Sequence, residues 1–391
     1  MPFSLEQGEL TLVNHRLYTA LLHKTAISVH GGVTTVASYA LKQELFALKD
    51  PYIADPSQAL QQTEKPSQVV GTRRKKKKSK RKFPYDSGEL EVVDKLWSVS
   101  EKLQNIVTGV GQSIIKNFFA VKQEPSHVPE ISKEDLDGAN DLSLFRYFQS
   151  DSPPPAIVEN RRSLTVVVLY ERSSLLIPPF ARFLKSDVSR LRLLTDDCSV
   201  RGKYNCVLLD PPWENKSVKR GRKYDYLSFN QIRQLPVASL AQDGCLIAVW
   251  VTNKKRILDF VIDELFPWWH VKYFGKWFWV KVTCDGVPIY PFSSLHKKPF
   301  EALVLGRFVS SPSACYDVGI ASEKVFCSVP CRVHSHKPPV YDMLEQLSTS
   351  LGAAHPRCLE MFARNLVPRW TSWGNEVWMM QDMDYYEKLK S

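Results

Sequence analysis

Four consecutive residues, Asp210, Pro211, Pro212 and Trp213, combine a carboxylate, two rings that restrict the backbone and an indole. They directly follow an apolar run, residues 204–209, that predicts a buried β-strand. Because the two prolines can neither continue a β-ladder nor enter a helix interior, the chain must leave the strand stiffly. A carboxylate, carbonyl oxygens and an aromatic ring held in one small volume could bind a flat base that carries an amino group. A simple strand-ending turn is the alternative, since Asp-Pro is common turn chemistry.

A basic segment follows this tetrapeptide. Five of the eight residues 216–223 are basic, and Tyr224 comes directly after them. Positive charge and an aromatic ring beside a base-sized pocket fit phosphate contacts that flank an extruded nucleotide. Either Trp213 or Tyr224 would hold the extruded ring, and a merely solvated loop is the alternative. The basic residues of the segment are Lys216, Lys219, Arg220, Arg222 and Lys223.

A late and mostly apolar stretch, residues 359–362, could be a cofactor-binding strand. It ends at the small residue Ala363, where a cofactor could approach the backbone closely. Arg364 and Asn365 would then supply hydrogen-bond donors to a ribose or a carboxylate. A plain core strand explains this run equally well.

A cluster of possible metal ligands precedes that strand, formed by Cys327, Cys331, His334 and His336. Four ligands within ten residues leave little slack for a tetrahedral shell, and structural zinc sites usually use two separated pairs. We therefore expect no metal site. The loop is better suited to present His336 or Lys337 to an anion.

The usual sequence signs of a bound nucleotide are missing. No G-x-G-x-x-G follows the first strand of the predicted sheet, and no G-x-x-x-x-G-K-[ST] loop occurs. A dinucleotide-dependent oxidoreductase and a kinase therefore lose most of their support.

The net charge of +11 is concentrated in one segment. Residues 73–82 carry nine positive charges, so 11 − 9 leaves only about +2 for the rest of the chain. Ten residues with nine charges cannot pack and must be solvated. We interpret the run as a nuclear-import signal, and a phosphate-binding arm without sequence preference is the competing interpretation.

Cysteine placement and hydropathy indicate the compartment. All eight cysteines lie at or beyond Cys198 and no apolar signal segment opens the chain, so we expect reduced intracellular thiols. The absence of a run of about 18 apolar residues predicts no membrane span. Glu6 and Glu9 weaken a mitochondrial transit peptide without excluding it, because such peptides are poor in acids. The nucleus is the expected compartment, with the cytosol and the mitochondrion left open.

Composition divides the chain into four regions. Residues 1–72 form a small β-containing module followed by a Gln-, Ser- and Pro-rich linker, and residues 73–82 are the basic run. Residues 83–155 contain two predicted helices, within 87–121, and a linker that ends in three prolines. Residues 156–391 form the catalytic α/β domain.

The catalytic region alternates strands and helices. Because its predicted strands are apolar on both faces, they favour a mainly parallel sheet covered on both sides. Ligands bind such sheets beyond the carboxyl ends of the strands, which is where Asp210 falls. The predicted strands are residues 164–169, 204–209, 245–251, 271–282, 300–305, 358–362 and 376–380, and the predicted helical segments are residues 230–240, 256–266 and 339–347.

Five separated motifs occur in order along the chain. They are residues 210–213, Tyr224, and residues 335–338, 360–365 and 373–376. Together they resemble the adenine exocyclic-amine methyltransferases, the family that includes the messenger-RNA adenosine methyltransferase. The resemblance covers roughly residues 160–380. It implies an α/β, Rossmann-like methyltransferase with permuted motifs that uses S-adenosylmethionine, and the permutation would explain the missing early glycine loop.

The resemblance also assigns roles to individual residues. Asp210 would contact the adenine amine and the methionine end of S-adenosylmethionine, and Lys337 would lie near the cofactor carboxylate. An acid before the catalytic strand, either Asp196 or Asp197, would contact the cofactor as well. The remaining cofactor residues are Arg364, Asn365 and Asn375, near the ribose, and Glu376, which stands where the family can have Gln.

The implied reaction agrees with the chemistry of the residues. An aryl amine is a poor nucleophile because its lone pair is delocalised into the ring. Acceptors at Asp210 and at the Pro211 carbonyl would hold both amine hydrogens and aim the lone pair. A fixed carboxylate also favours the positive charge that develops on nitrogen. The target base must lie outside a helical stack.

We therefore expect an adenine N(6)-methyltransferase that acts on nucleic acid as a monomer and prefers RNA to DNA. The branch of the family that the chain resembles most is associated with 2′-O-methylated adenosine in small nuclear RNA, with DNA adenine as a second substrate. The alternative is a non-catalytic nucleic-acid-binding subunit of a methyltransferase complex. Such subunits typically carry an eroded tetrapeptide, whereas this one is whole.

Overall fold

The computed structural model describes residues 4–7, 9–30, 33–52, 87–120, 143–149, 155–214, 226–294, 297–311, 323–333 and 335–389. The basic run 73–82 and the basic segment 216–224 lie outside the described residues, and the roles predicted for them stay predictions. Within the described ranges, no helix is both long and apolar enough to cross a membrane.

Seventeen strands are present in the described part of the chain. Most belong to one large sheet, so the fold is mixed α/β as expected. In chain order the strands are β1 (Ser4–Gln7), β2 (Leu10–Val13), β3 (Ala26–His30), β4 (Val33–Ala37), β5 (Tyr39–Leu41), β6 (Val158–Glu159), β7 (Thr165–Tyr170), β8 (Ser173–Ile177), β9 (Arg182–Lys185), β10 (Tyr204–Leu209), β11 (Ala241–Val251), β12 (Val271–Lys281), β13 (Phe300–Phe308), β14 (Glu323–Ser328), β15 (Cys358–Met361), β16 (Trp370–Gly374) and β17 (Tyr386–Lys388).

The large sheet has the order β1-β2-β14-β12-β13-β11-β10-β15-β16-β9-β6 over the described residues. Its five strands β11, β10, β15, β16 and β9 are mutually parallel, which confirms the mainly parallel sheet predicted around Asp210. β13 runs antiparallel to both β11 and β12, so β12 also ends where β10 and β11 end. We call this side of the sheet the carboxyl edge.

The sheet is buried on both faces. Alternate residues of β10 face opposite cores, with Val207 and Leu209 on one side and Cys206 and Leu208 on the other. The first core contains the helices that follow β11, and the second contains the helix Tyr341–Ser350. Two covered faces explain why the strand is apolar throughout instead of alternating with polar residues.

Helices account for most of the remaining regular structure. The two helices predicted within residues 87–121 are present and separate at Gly111, whose φ of +83° favours glycine. The described helices are His15–Leu22, Ser87–Val110, Gln112–Ala120, Ser143–Phe148, Arg192–Arg201, Phe229–Arg233, Val237–Leu240, Lys255–Asp259 continuing through the π-helical Phe260–Leu265 into Phe266–Trp268, and Tyr341–Ser350, with 3₁₀ turns at Gln43–Phe46, Val188–Arg190, Met379–Gln381 and Met383–Tyr385.

The N-terminal strands pair with strands from the second half of the chain. β2 lies parallel to β14 and extends the large sheet, while β3 lies parallel to β7 in a sheet of order β4-β3-β7-β8. β5 pairs with β17. The boundary predicted at residue 72 falls outside the described residues and stays a prediction, but the segments on either side of it share hydrogen-bonded sheets.

The strand predicted at residues 376–380 is wrong. These residues form turns and the start of a 3₁₀ helix, and the last strand of the large sheet is instead Trp370–Gly374. The apolar residues that suggested a strand are buried because the turn packs onto aromatic rings, with Trp378 against Phe183. Small and polar residues within β16 hid its own pattern.

Candidate active site

Asp210 lies at the carboxyl edge, directly after β10. Its backbone N–H donates to the carbonyl of Met361 at 3.3 Å, which ties the acid to the end of the neighbouring strand β15. The Trp213 N–H donates to the Pro211 carbonyl at 2.8 Å, and the Leu227 N–H donates to the Pro212 carbonyl at 3.1 Å. The tetrapeptide is therefore held by backbone hydrogen bonds on both sides, as the stiff exit from the strand predicted. A carbonyl oxygen has two lone pairs, so the Pro211 carbonyl keeps one for a ligand.

Trp213 anchors the tetrapeptide to the core. Its indole N–H donates to the Trp250 carbonyl at 2.8 Å, and its ring packs edge-on against Phe229 and Phe260. Only 8% of the residue is exposed. This position makes Trp213 a positioning group for Asp210. It leaves little of the Trp213 ring exposed for the extruded base, which the sequence analysis assigned to either Trp213 or Tyr224.

Asp210 is the first member of a row of paired charges, which we call the charged chain. Its other members are Lys337, Glu301 and Lys281. The Lys337 ammonium lies 3.5 Å from Asp210 Oδ1 and 2.9 Å from Glu301 Oε2, and Lys281 also pairs with Glu301. Burial alone would raise the pKa of Glu301, but Lys337 and Lys281 outweigh burial and lower it to about 2. Burial would likewise lower the pKa of Lys337, and the two acids instead raise it above its ordinary value. Lys337 and Glu301 are therefore charged at neutral pH.

Opposing effects act on the pKa of the Asp210 carboxyl. Burial raises the pKa of its carboxyl and Glu301 adds to the rise, whereas the Lys337 ammonium and the Arg364 guanidinium oppose it. Its side chain is 17% exposed, so the carboxylate can still reach a ligand. Sequence reasoning identified Asp210 and Lys337 but not Glu301 and Lys281. These two residues occupy the start of β13 and the end of β12, at the same edge of the sheet as Asp210.

Glu360 is a second acid that sequence reasoning did not assign. It lies on β15, and the Tyr341 hydroxyl donates to its Oε2 at 3.3 Å. Burial, with the Asp210 carboxylate adding to it, raises the pKa of Glu360 to about 8. Asn365 donates to the same Tyr341 hydroxyl at 2.9 Å. Asn365 is therefore held on the Tyr341 side of the sheet and does not line the large cleft described next.

A cleft of about 470 Å³ opens beside Asp210 at the carboxyl edge. It contains four of the predicted cofactor residues, Asp210, Arg364, Asn375 and Glu376. The Arg364 guanidinium donates to the Glu376 carboxylate at 3.0 Å. Its volume falls within the roughly 300–1,000 Å³ of small-molecule sites. The lining residues are Ser186, Asp187, Val188, Ser189, Asp210, Pro212, Leu227, Phe362, Ala363, Arg364, Trp373, Gly374, Asn375 and Glu376.

The acid that reaches this cleft is Asp187, not Asp196 or Asp197. Asp196 is exposed and forms an i,i+4 pair with Arg192. Asp197 forms salt bridges with arginines that lie at the amino ends of parallel strands, across the sheet from Asp210. The structure therefore brings neither of these two predicted acids to the cleft, and their contact with the cofactor stays a prediction. Asp187 comes shortly after the carboxyl end of β9, as Asp210 comes after β10, and that position is the signal that sequence reasoning missed.

His336 turns away from the cleft. Its ring packs edge-on against His15 of the N-terminal helix at 5.4 Å, and its Nδ1 is buried without a hydrogen-bond partner among the described residues. Burial, with the charges of Arg364 and Lys337 adding to its effect, lowers the pKa of His336 to about 4. His336 is thus uncharged at neutral pH. The adjacent Lys337 is the residue of this loop that the structure brings to Asp210.

Two predictions remain, the substrate contacts of the basic segment and the question of a metal site. Lys216, Lys219, Arg220, Arg222, Lys223 and Tyr224 lie outside the described residues, so their substrate contacts stay predictions. Within the described ranges, no group of three or more His, Cys, Asp or Glu side chains could hold a metal ion.

Comparison with known proteins assigns the site to a class. Residues 204–376, which contain the tetrapeptide, the charged chain and most of the cleft, match the MT-A70 family. The chain belongs to this family and is an adenine N(6)-methyltransferase, as the five motifs implied.

Its relatives include proteins named as RNA methyltransferases and one named as a DNA methyltransferase. The chain is similar to the mouse N(6)-adenine-specific methyltransferase METTL4, with 35% identity over 90% of this chain and 82% of the relative, which agrees with the family branch inferred from the sequence. It is 36% identical to the N6-methyladenosine RNA methyltransferase MTA1 of Pyricularia oryzae over 48% of this chain and 50% of the relative. It is 32% identical to a DNA N6-methyl methyltransferase of Caenorhabditis elegans over 58% of this chain and 57% of the relative.

Proposed function

We propose that this chain transfers a methyl group from S-adenosylmethionine to the exocyclic N(6) amine of an unstacked adenosine in nucleic acid. The observation that carries the proposal is one arrangement at the carboxyl edge. A fixed carboxylate, Asp210, lies between the Lys337 ammonium, 3.5 Å away, and a cleft of about 470 Å³ that it helps to line.

The cleft fits S-adenosylmethionine by the chemistry of its donors and acceptors. Arg364 and Asn375 offer N–H donors, and Asp187 and Glu376 offer carboxylates for an ammonium group or ribose hydroxyls. The Rossmann-like topology expected from the resemblance supports a cofactor at this edge. When bound, S-adenosylmethionine supplies an electrophilic methyl group on a sulfonium sulfur.

The residues of the tetrapeptide hold the amine. Asp210 accepts one N–H hydrogen bond, and the free lone pair of the Pro211 carbonyl accepts the other. Pro212 and the buried Trp213 keep both acceptors in place. Little conformational entropy is therefore lost when the amine binds between them. The Asp210 carboxylate stabilises the positive charge that develops on nitrogen, and the amine proton then leaves through this acceptor to solvent.

We propose that RNA is a better substrate than DNA. Among RNA sites, we propose that 2′-O-methyladenosine in small nuclear RNA is the preferred target. The family branch that the sequence motifs resemble supports this order of preference, and the similarity to the RNA methyltransferase MTA1 of Pyricularia oryzae supports RNA. DNA adenine is the second candidate, favoured by the similarity to the Caenorhabditis elegans DNA enzyme. The basic run 73–82 supports a nuclear location, with cytosolic or mitochondrial action as alternatives, and the chain acts as a monomer in this proposal.

The test is nucleoside mass spectrometry after reaction of the pure full-length chain with S-adenosylmethionine. The substrates are matched RNA and DNA oligonucleotides with adenosine, 2′-O-methyladenosine or deoxyadenosine at one central position. We expect N(6)-methylation of the 2′-O-methylated RNA at the highest kcat/KM, and its loss in Asp210→Asn. Asp196→Asn, an exposed acid away from the cleft, is the matched control. Equal activity of the Asp210 and Asp196 variants would contradict the mechanism.

A further inference from the structure

We propose that Tyr52, Tyr290 and Lys297 form a second binding site on this enzyme, for a nucleobase that flanks the target adenosine in a single-stranded substrate. We call these three residues the tyrosine platform. The inference rests on the proposed function, because it concerns how the same nucleic acid is held. It goes beyond the cleft and the tetrapeptide, none of whose residues belongs to the platform.

The platform lies at the carboxyl edge. Tyr290 and Lys297 belong to the connection between β12 and β13, and the two residues that bound this connection, Lys281 and Glu301, are paired with each other. Glu301 in turn contacts Lys337, which contacts Asp210. These contacts place the connection at the same edge of the sheet as Asp210, and our proposal is that a strand of nucleic acid bound at Asp210 continues along it.

A segment from far away in the chain completes the platform. The Cys284 N–H donates to the Leu48 carbonyl at 2.8 Å, and the Tyr52 N–H donates to the Ile289 carbonyl at 3.0 Å. These two bonds fasten residues 48–52 along the connection. They hold the Tyr52 ring beside the Tyr290 ring, with the centroids 5.3 Å apart and the ring planes tilted by 40°.

The platform is exposed and cationic. Tyr52 is 57% exposed, the second ring is half-buried, and the Lys297 ammonium lies 5.4 Å from the centroid of the Tyr290 ring. Aromatic side chains contribute a large apolar area to contacts. Because much of the Tyr52 ring is exposed, this area is available for a flat ring to stack on. Aromatic rings beside a cation are the chemistry by which proteins hold single-stranded nucleic acid, through base stacking and a phosphate contact.

The space beside the platform is large enough for a nucleotide. Tyr290 lines a cleft of about 490 Å³ between the β12–β13 connection and the helices Ser87–Val110 and Gln112–Ala120. The helical wall carries the exposed Gln104 and Gln112, whose amides can both donate to and accept from a base edge. This wall gives a role to the helical region in which the sequence showed no catalytic group.

Local packing is the competing explanation. The two rings could serve only to fasten residues 48–52 to the connection, in which case their loss would weaken the fold and every substrate equally. A base-binding platform makes a different prediction. Its loss should matter only when a base is present to stack.

The experiment uses single-turnover methyl transfer by the full-length chain on a set of short RNA oligonucleotides. Each carries the same central target adenosine and, in turn, one abasic residue at a flanking position within two nucleotides of it. With the wild-type enzyme, we expect one flanking position at which removal of the base lowers kcat/KM by roughly tenfold, the size of a lost stacking contact. The double variant Tyr52→Ala/Tyr290→Ala should show the same fall on the intact oligonucleotide and no further fall at that abasic position.

Three matched variants separate the explanations. Tyr52→Phe/Tyr290→Phe keeps both rings and should behave as wild type. Lys297→Ala should lower the affinity equally for intact and abasic oligonucleotides and reduce the salt slope by about one ion. Trp268→Ala removes an aromatic ring that is 63% exposed near the start of β12, at the opposite edge, and should change nothing.

The outcomes distinguish this inference from the proposed function. If methyl transfer occurs but the double alanine variant matches wild type, or loses activity equally on every oligonucleotide, the platform does not bind a base while the proposed function stands. Unchanged oligonucleotide kinetics would also be the result if the tyrosines bound a protein instead. If no oligonucleotide is methylated by the wild-type chain, the proposed function fails first and the platform with it.

Discussion

The Lys337 ammonium lies 3.5 Å from Asp210 Oδ1 while donating to Glu301 Oε2 at 2.9 Å, so one cation is shared between Asp210 and a neighbouring acid. The sharing has a consequence for Asp210. Glu301 is ionised at neutral pH and raises the pKa of Asp210, and the Lys337 ammonium that contacts both acids opposes this rise. The pair therefore acts together with Asp210 and not as a separate salt bridge.

Replacement of Lys337 by Met should raise the pKa of Asp210 further, because the cation that opposes burial is lost. The ionised carboxylate appears as pH rises through this pKa, so the acidic limb of the kcat/KM profile should move to higher pH. The rate at the optimum should fall by roughly 10²-fold, as expected when a fixed charge is removed from an active site. The profile of Lys255→Met, which breaks an exposed pair with Asp259, should be unchanged. An acidic limb that stays in place in Lys337→Met would show that the two groups are not coupled.

Replacement of Trp213 by Phe tests whether the indole positions the tetrapeptide. The change leaves the buried Trp250 carbonyl without its 2.8 Å donor, which should lower the free energy of unfolding by about 1–3 kcal/mol. Methyl transfer should fall by more than the small unfolded fraction accounts for, since Asp210 loses its anchor. Urea unfolding and kcat/KM measured on the same preparations would check both. Trp268→Phe is the control, and it should stay within about 0.5 kcal/mol of wild type. If the two Trp variants behave alike, the anchor has no role.

Three strands near Asp210, β10, β11 and β12, could be predicted because each contains a contiguous apolar stretch. β10, β11 and β12 are buried on both faces, and their composition alone distinguishes them from turns. The fixed order of motifs then located the acid and the cofactor strand. Glu301 and Lys281 escaped notice because each is an ordinary charged residue in sequence and becomes a partner only where β12 and β13 lie side by side.

The N-terminal pairings were beyond sequence reasoning for a similar reason. β2 pairs with β14 more than 300 residues later, and no local pattern encodes such a choice of partner. The same limit explains Asp187 and Asp197. Asp187 follows β9, a strand that the sequence did not predict, and only the strand direction decides that Asp187 reaches the carboxyl edge whereas Asp197 lies across the sheet.

Glu360 should make stability depend on pH in an unusual direction. Its pKa is about 8 in the folded chain against an ordinary value of 4.5, so between these values the folded state holds a proton that the unfolded state has lost. Stability should therefore fall as pH rises from about 4.5 to about 8, by up to ~1.4 kcal/mol per pH unit. Glu360→Gln keeps an acceptor for Tyr341 but cannot titrate, so it should gain stability relative to wild type across this window.

Urea unfolding of wild type and Glu360→Gln at pH 5, 6.5 and 8 would measure this difference. Glu323→Gln, an exposed acid on β14 with a surface lysine partner, serves as the control and should run parallel to wild type. Parallel curves for Glu360→Gln as well would mean that Glu360 is already ionised in the folded chain at neutral pH.

The roles of three acids that precede the tetrapeptide can be distinguished by measuring cofactor binding and stability. Asp187→Asn should weaken S-adenosylmethionine binding by roughly tenfold, about 1.4 kcal/mol, because the residue lines the cleft. Asp197→Asn should leave binding unchanged in the folded fraction and lower the free energy of unfolding by about 2–4 kcal/mol, since Arg182 and Arg357 lose their buried partner. Asp196→Asn, an exposed surface pair, should do neither. Calorimetric titration and urea unfolding of the three variants give both quantities, and a binding defect in Asp197→Asn without loss of stability would restore that acid to the cofactor site.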